Sequence, residues 1–316
     1  MMRVFVYEHL SGAGAADAPD ELLTSGREMR DAVAHDLLRA GDCAVSVAAG
    51  PCAPEVPGGA RALRPPPGIR AADFVAQQAR LHDRVWVIAP ETDGVLAQMQ
   101  RVVDAGRWLG CDAAAIALTS SKHATLAHAA EHGVATPLAF AVSPATRRWV
   151  VKPDDGAGAM ATRVHNTHAA ARDDVDARRQ RGEAAVLEAW VAGEPLSLSL
   201  LCSAGRVELL GVNRQQLSVD AFGVLTFTGV QVNALPHDDA RFASLRAWAQ
   251  TLARAIPGLR GYVGIDLVWH PQRGPVLIEI NPRVTMAYVG LSAALDRNLA
   301  AAVLAAHPRE VAHADA

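Results

Sequence analysis

Residues 262–290 read YVGIDLVWHPQRGPVLIEINPRVTMAYVG, and how the two halves of this stretch pair decides the fold. Two β-rich runs, YVGIDLVW and PVLIEI, flank Pro271-Gln272-Arg273-Gly274, whose proline and glycine favour a turn, so the stretch reads as an antiparallel hairpin. With Gln272 and Arg273 as a two-residue loop, Pro271 faces Gly274, and counting back sets Asp266 opposite Glu279 and Gly264 opposite Asn281. Asp266, Glu279 and Asn281 then share one face. Ile265, Leu267, Ile278 and Ile280 take the other, an apolar surface to bury. A slip of one residue would put the two carboxylates on opposite faces.

Two carboxylates directly across a strand pair lie about 5 Å apart and repel unless something positive stands between them. A divalent cation meets that need. An Asp, Glu and Asn set is all oxygen and suits a hard ion, and Mg²⁺ held by few protein oxygens completes its shell with phosphate and water. That points to a nucleotide. The alternative is a solvated polar face of unrelated charges, and it is weakened by Asn281 and Arg283 standing in an otherwise apolar segment.

The 316 residues, half of them apolar, suffice for a large core and for two or three domains. A net charge of -3 gives no electrostatic case for nucleic acid or an anionic membrane, so small molecules are the expected partners. Cys43, Cys52, Cys111 and Cys202 are widely spread and form no C-x-x-C pair, which leaves zinc and redox motifs unsupported. The chain runs from Met1-Met2-Arg3 straight into VFVY and then Glu8-His9, too soon polar for a signal peptide, and holds no apolar run of about 18 residues. A cytoplasmic protein is expected.

In chain order, a strand over Arg3 to Tyr7 precedes a small loop, Ser11-Gly12-Ala13-Gly14; the third glycine of a dinucleotide fingerprint is missing, and Asp17 stands in its place. A helix over residues 21–40 stops at Gly41, a strand CAVSVAA follows, and Gly50 to Gly68, with six prolines, reads as a surface loop. A helix from Ala71 to His82, a buried strand RVWVIAP and a helix from Asp93 to Leu109 complete a β-α-β-α-β-α alternation, hence a small parallel sheet. Glu91, just past that last strand, stands where open α/β sheets bind ligands, or serves as a helix N-terminal charge. Ala113 to Leu118 reads as a short strand or linker, and Thr119-Ser120-Ser121 can cap a helix to Glu131. Lys122 in its first turn is unfavourable there unless it serves something anionic.

RRWVVKPDDGAGAMATRV carries a strand ending at Lys152, then a small-residue loop over residues 154–160 that includes Gly156 and Gly158. Such a loop lets backbone N–H groups approach phosphate, and it is not a P-loop. A polar helix over Thr167 to Arg181, the buried strand AVLEAWV and successive strands to Asn233 predict an antiparallel sheet. An amphipathic helix returns the chain to the opening hairpin. SAALDRNLAAAVLAA reads as one helix, with a frayed tail from His307.

Taken in order, Lys122, Lys152-Pro153 with the glycine loop, LEAWVAGEPLSLSL, Asp266 and Glu279-Ile280-Asn281-Pro282-Arg283 resemble the ATP-grasp superfamily over most of the chain. Within it, the opening MRVFVYEHLSGAG and the closing EINPRVTMAYVGLS are most similar to the tyramine–glutamate ligase type associated with methanofuran synthesis. The resemblance implies an α/β (α+β) ATP-grasp fold with a small parallel-sheet pre-ATP-grasp domain over 1–115, a small lobe with the glycine loop over 116–190, and a large lobe over 191–316. It implies that Lys122 and Lys152 contact ATP phosphates under the loop of Gly156 and Gly158. Glu188, Ala189, Trp190 and Val191 would bond the adenine mainly through backbone groups, and Glu194 would take the ribose hydroxyls. Asp266, Glu279 and Asn281 would hold Mg²⁺ or Mn²⁺. D-alanine-ligase-like members carry an arginine where this chain has Gly264, so Arg283 or Arg214 must cover the charge of an acyl phosphate, with Lys152 beside them.

The expected activity is ATP-dependent amide formation between a small-molecule carboxylate and an amine, glutamate with tyramine or a tyrosine-like amine. Another amino-acid or peptide ligase and a catalytically inactive ATP-binding regulatory module are the alternatives, and a homodimer is left open.

Overall fold

The computed structural model describes residues 1–13, 18–156, 158–203 and 205–308. It opens with β1 (Met2–Glu8), α1 (His9–Ala13), α2 (Asp20–Arg39), β2 (Cys43–Ala48), β3 (Arg61–Leu63), α3 (Ala71–Leu81), β4 (Arg84–Ile88) and α4 (Val95–Arg101). The strands form a parallel sheet in the order β3-β2-β1-β4. The chain winds one way from β1 to β2 and the other way to β4, so the paired strand ends Glu8 and Ile88 mark a topological switch point.

Three local readings change here. Ser11 and Gly12 belong to α1, whose start is capped when Glu8 Oε1 and Oε2 accept from the N–H groups of Leu10 (3.1 Å) and Ser11 (2.7 Å); Gly14 and Asp17 lie outside the described residues. The proline-rich loop contains β3, an edge strand, where the ladder leaves prolines room on either side. The helix expected from Asp93 to Leu109 shrinks to α4. Asp93 and Gly94 adopt left-handed backbone before it, and the residues around Trp108 add to the sheet edge instead, Leu109 N donating to Val85 O at 2.9 Å.

The middle of the chain supplies α5 (Ala113–Thr119), α6 (Lys122–Glu131), α7 (Leu138–Ala141), β5 (Trp149–Pro153), β6 (Arg163–His165), α8 (His168–Gln180) and β7 (Ala185–Ala189). α5 replaces the expected strand: the Asp112 side chain caps it by accepting from Ala115 N at 2.8 Å, and alanines are the best helix formers. The three strands make a small antiparallel sheet, β6-β5-β7, backed by α8.

β8 (Glu194–Ser203), β9 (Arg206–Val219), β10 (Leu225–Leu235), α9 (Ala240–Ala255), β11 (Gly261–His270) and β12 (Gly274–Asn281) follow, the strands ordered β10-β9-β8-β11-β12 and all antiparallel. One face of this sheet, with Leu196, Leu198, Ile265, Leu267 and Ile280, joins a core with Ile116 of α5, Leu126 of α6 and Leu245 of α9. Tyr262, Val284 and Tyr288 join Val33 and Leu37 of α2 in a second core. The tip between β9 and β10 reaches the small sheet, Val164 N donating to Gly223 O at 2.7 Å and Leu225 N to Thr162 O at 3.0 Å. Gly223, at φ +80°, lies against the Val164 carbonyl, where a Cβ would collide.

The last segment is two helices, α10 (Leu291–Ala294) and α11 (Leu299–Ala306), because Asp296 takes a left-handed conformation and Asn298 starts a new helix by accepting from Ala301 N at 2.9 Å. His307 is buried and its Nε2 accepts from Gly110 N at 3.1 Å, so the chain is not frayed there; residues 309–316 lie outside the described residues. Among the described residues no helix is long and apolar enough to cross a membrane.

Candidate active site

The opening hairpin sets Asp266 opposite Glu279 and Gly264 opposite Asn281. The expected path to that register was different. His270, not Pro271, faces Gly274, so the turn holds three residues, and a bulge at Ile278 between the Leu277 and Glu279 pairings restores the count. Leu277 therefore takes the buried place opposite Leu267, and Ile278 is only half-buried. Burial first, and then repulsion from Glu279, push the Asp266 carboxyl up to about 7, against hydrogen bonds from Gln215 and Asn281 and the charge of Arg283. Asn281 Nδ2 lies 3.4 Å from Asp266 Oδ2.

Lys122 resolves the oddity of a cation at a helix N-terminus. Ser121 caps α6 by accepting from Ala124 N at 3.1 Å, and α6 packs on β12, so Lys122 is buried with its Nζ 3.1 Å from Glu279 Oε1. The same Nζ donates to the carbonyl of Gly156. Asp154 accepts from the first N–H groups of the helix, Lys122 N to its carbonyl and His123 N to Oδ1, both at 2.9 Å, which fixes the start of the glycine loop beside the acids. Past that start, Gly158, Ala159 and Ala161 all have positive φ, an unusual concentration of left-handed backbone; Ala157 lies outside the described residues.

In the small sheet Val150 pairs with Glu188 and Lys152 with Val186, so Lys152 and Glu188 share a face, and Lys152 Nζ meets Glu188 Oε2 at 2.9 Å. Both are buried, and Glu188 Oε1 has no hydrogen-bond partner among the described residues. A buried carboxylate oxygen without a donor is costly unless a ligand supplies one. Ala189 is inside the ladder, opposite Trp149, and the Trp190 N–H is taken by the Arg148 carbonyl at 3.0 Å, with the Arg148 guanidinium over the Trp190 ring. The backbone donors over 188–191 are thus not all free for a base. Val191 is buried, and Gly193 crosses so near the Trp269 carbonyl that only glycine fits.

Glu194 and Arg214 meet each other rather than the acids. Arg214 Nε donates to Glu194 Oε1 at 2.7 Å, and Arg241 Nη1 to Oε2 at 2.6 Å. Though burial works against it, these two arginines hold the Glu194 carboxyl below its usual range. Arg214 pairs with Leu196, and Leu196 with Leu267, so the register gives it the apolar face, opposite to Asp266. Arg283 is the arginine beside the acids: its Nη2 lies 3.5 Å from Asn281 Oδ1, and it forms a buried two-point pair with Glu91. A side chain at Gly264 would force Thr285 to shift, because a Cβ there would stand 2.5 Å from Thr285 Cγ2. The Thr285 hydroxyl in turn sits 3.3 Å from Tyr262 Oη, which contacts Ser199 Oγ at 2.9 Å.

Sequence reasoning passed over Arg241 and Gln215. A register count through β8 and β9 would have put Gln215 on the face of Asp266, whereas Arg241 carries no local signal. Among the described residues no group of three or more His, Cys, Asp or Glu is placed to hold a metal, so a cation at the hairpin would take Asn281 as its third protein group. The residues fit one: two facing carboxylates, one with a raised pKa, and an amide share a face.

A profile of the ATP-grasp domain matches residues 119–287, more than half of the chain. The chain belongs to the ATP-grasp family. A pre ATP-grasp 3 domain matches residues 43–116, within the parallel sheet unit. Tyramine–L-glutamate ligases of Methanocaldococcus jannaschii and Methanocaldococcus fervens are each 28% identical to the ATP-grasp chain described here, over 213 and 214 residues. These matches cover 66% of this chain but only 58% and 61% of the relatives' own length. A crystal structure assigned to the ATP-grasp superfamily, from Archaeoglobus fulgidus, aligns with a TM-score of 0.71 at 20% identity, over 96% of this chain and 88% of that one, which shows the shared fold.

Proposed function

We propose that this ATP-grasp protein is a carboxylate–amine ligase. A substrate carboxylate takes the γ-phosphoryl group of ATP, giving an acyl phosphate and ADP; the nitrogen of an amine then attacks the acyl carbon, phosphate leaves, and the amine gives up a proton as the amide forms. The observation that carries this reading is the buried Lys122, whose single ammonium group touches both the acid face, at Glu279, and the glycine loop, at Gly156. A metal-binding face and a phosphate-binding loop thereby meet at one positive charge.

On this reading Asp266, Glu279 and Asn281 hold Mg²⁺, or Mn²⁺ in its place. The cation, when bound, neutralises phosphate oxygens. Lys122 and Lys152 exchange part of their contact with Glu279 and Glu188 for phosphate, and the loop of Gly156 and Gly158 excludes water that would hydrolyse the acyl phosphate. The unpartnered Glu188 Oε1 accepts from the adenine amino group, beside Ala189, Trp190 and Val191, and Glu194, steadied by Arg214 and Arg241, faces the ribose. Arg283 covers the charge of the acyl phosphate. The units 1–115, 116–190 and 191–316 supply the substrate wall, the loop and the acids.

The names of the two curated relatives suggest glutamate as the carboxylate and tyramine as the amine. Amine-dependent ADP release with this pair, and the product mass, test the reading. Glu279→Gln or Asp266→Asn abolishes release with the fold intact; near wild-type turnover in either variant would refute the metal assignment. Products of another mass would identify a different amino-acid ligase, and ATP binding without ADP release across an amine panel would identify a regulatory module.

A further inference from the structure

Glu91 is only 4% exposed and has no part in the reaction as written above. It lies three residues beyond β4, next to the switch point, and crosses into the large lobe to grip Arg283 with two bonds, Nε to Oε1 and Nη2 to Oε2, each 3.0 Å. Arg283 Nη1 donates to the Val284 carbonyl at 3.2 Å. With its edge taken by Glu91 and one terminal nitrogen bonded to Val284, the guanidinium has little freedom to turn, and Nη2 also lies 3.5 Å from Asn281 Oδ1. A buried ion pair is a weak source of net stability compared with apolar packing of the same volume, so stability alone explains this one poorly. A planar, two-point grip on guanidinium is instead an orienting device.

The next two residues hold the other lobe. Thr92 Oγ1 donates to the Asp155 carbonyl at 3.1 Å and Asp93 N to Asp155 Oδ2 at 3.0 Å, at the start of the glycine loop. Asp93 and Gly94 are both left-handed, φ 54° and 67°, which makes the turn sharp enough for adjacent residues to reach two lobes. We propose that Glu91–Asp93 is a positioning element of the N-terminal unit, in which Glu91 orients Arg283 toward the reacting carboxylate while Thr92 and Asp93 hold the loop that covers it. The role rests on the reading of Arg283 given under the proposed function.

Steady-state kinetics and Mg·ADP binding of Glu91→Gln, Glu91→Asp, Arg283→Met and the double variant Glu91→Gln/Arg283→Met test it. Misplacing a group that stabilises a transition state by about 1 Å costs on the order of a hundredfold, so kcat of Glu91→Gln falls by about tenfold to a hundredfold, while ADP affinity stays within about twofold. Glu91→Asp, which keeps the charge, regains part of the loss. The double variant is no slower than Arg283→Met, because the carboxylate then has nothing left to orient. An unchanged kcat in Glu91→Gln, an equal loss in ADP affinity, or losses that multiply in the double variant would overturn the proposal. Should Glu91→Gln fail to fold, as read by thermal melting, Glu91→Asp carries the test by the same criteria of kcat and ADP affinity. Wild-type protein without amine-dependent ADP release refutes the ligase reading and this role with it; wild-type turnover with an unaffected Glu91→Gln refutes the positioning role alone.

Discussion

Replacing Asp266 by Asn should remove activity and yet stabilise the ligand-free protein at alkaline pH. The Asp266 carboxyl rises from an ordinary 3.8 to about 7 in the folded chain, through burial and the facing Glu279. A carboxyl that binds its proton more tightly when folded makes stability fall as pH rises from its unfolded value through its folded one. The window therefore runs from about pH 4 to about pH 7, and three units at 1.36 kcal/mol each set an upper bound of about 4 kcal/mol on the destabilisation at pH 8.5. Roughly 2–3 kcal/mol of that develops between pH 5 and pH 8.5. Asn cannot ionise, keeps nearly the same volume and relieves the repulsion on Glu279. Urea unfolding of metal-free and nucleotide-free protein should show Asp266→Asn more stable than wild type at pH 8.5, with the gap shrinking by at least about 1 kcal/mol on going to pH 5. A variant less stable than wild type at pH 8.5, or a gap that does not change with pH, would refute the reasoning.

Gly264→Ala places a methyl 2.5 Å from Thr285 Cγ2 and should cost about 1–3 kcal/mol in urea unfolding; Thr285→Ser in the same chain removes the clashing methyl and should restore most of it. Ser121→Ala removes the cap of α6 and should cost about 1 kcal/mol, read by the same method, and should weaken ADP binding because Lys122 is the next residue. Binding of Mg·ADP near pH 7 should release protons, since a cation beside Asp266 lowers a pKa that starts near 7; calorimetry in buffers of different ionisation enthalpy measures this, and no proton release would contradict the metal assignment.

The register of the acid hairpin was legible because two departures cancel. Gly274, at φ +69°, closes a three-residue turn rather than a two-residue one, and the bulge at Ile278 shifts the strand back by the same count, so Asp266 still meets Glu279. Lys122 was legible for a different reason, as a charge whose local setting is unfavourable and which therefore needs a distant partner. Pairings such as Arg283 with Glu91, 192 residues apart, and Glu194 with Arg241, 47 residues apart, leave no trace in local pattern, because no periodicity links one element to another across such a gap. AAAIAL, residues 113–118, was misread because a six-residue apolar run suits a buried strand or a short helix equally; Asp112 before it was the deciding signal, as a helix cap.

The fate of the carboxylate oxygens tests the central claim most directly. With the substrate carboxylate labelled with oxygen-18, activation as an acyl phosphate transfers one labelled oxygen per amide to the released phosphate, leaves the other in the amide, and requires both Asp266 and Glu279. Labelled phosphate formed at the rate of ADP release by wild-type protein, and lost in Glu279→Gln, is the predicted result. Amide formed with unlabelled phosphate, or labelled phosphate still formed by Glu279→Gln at the wild-type rate, would contradict the account.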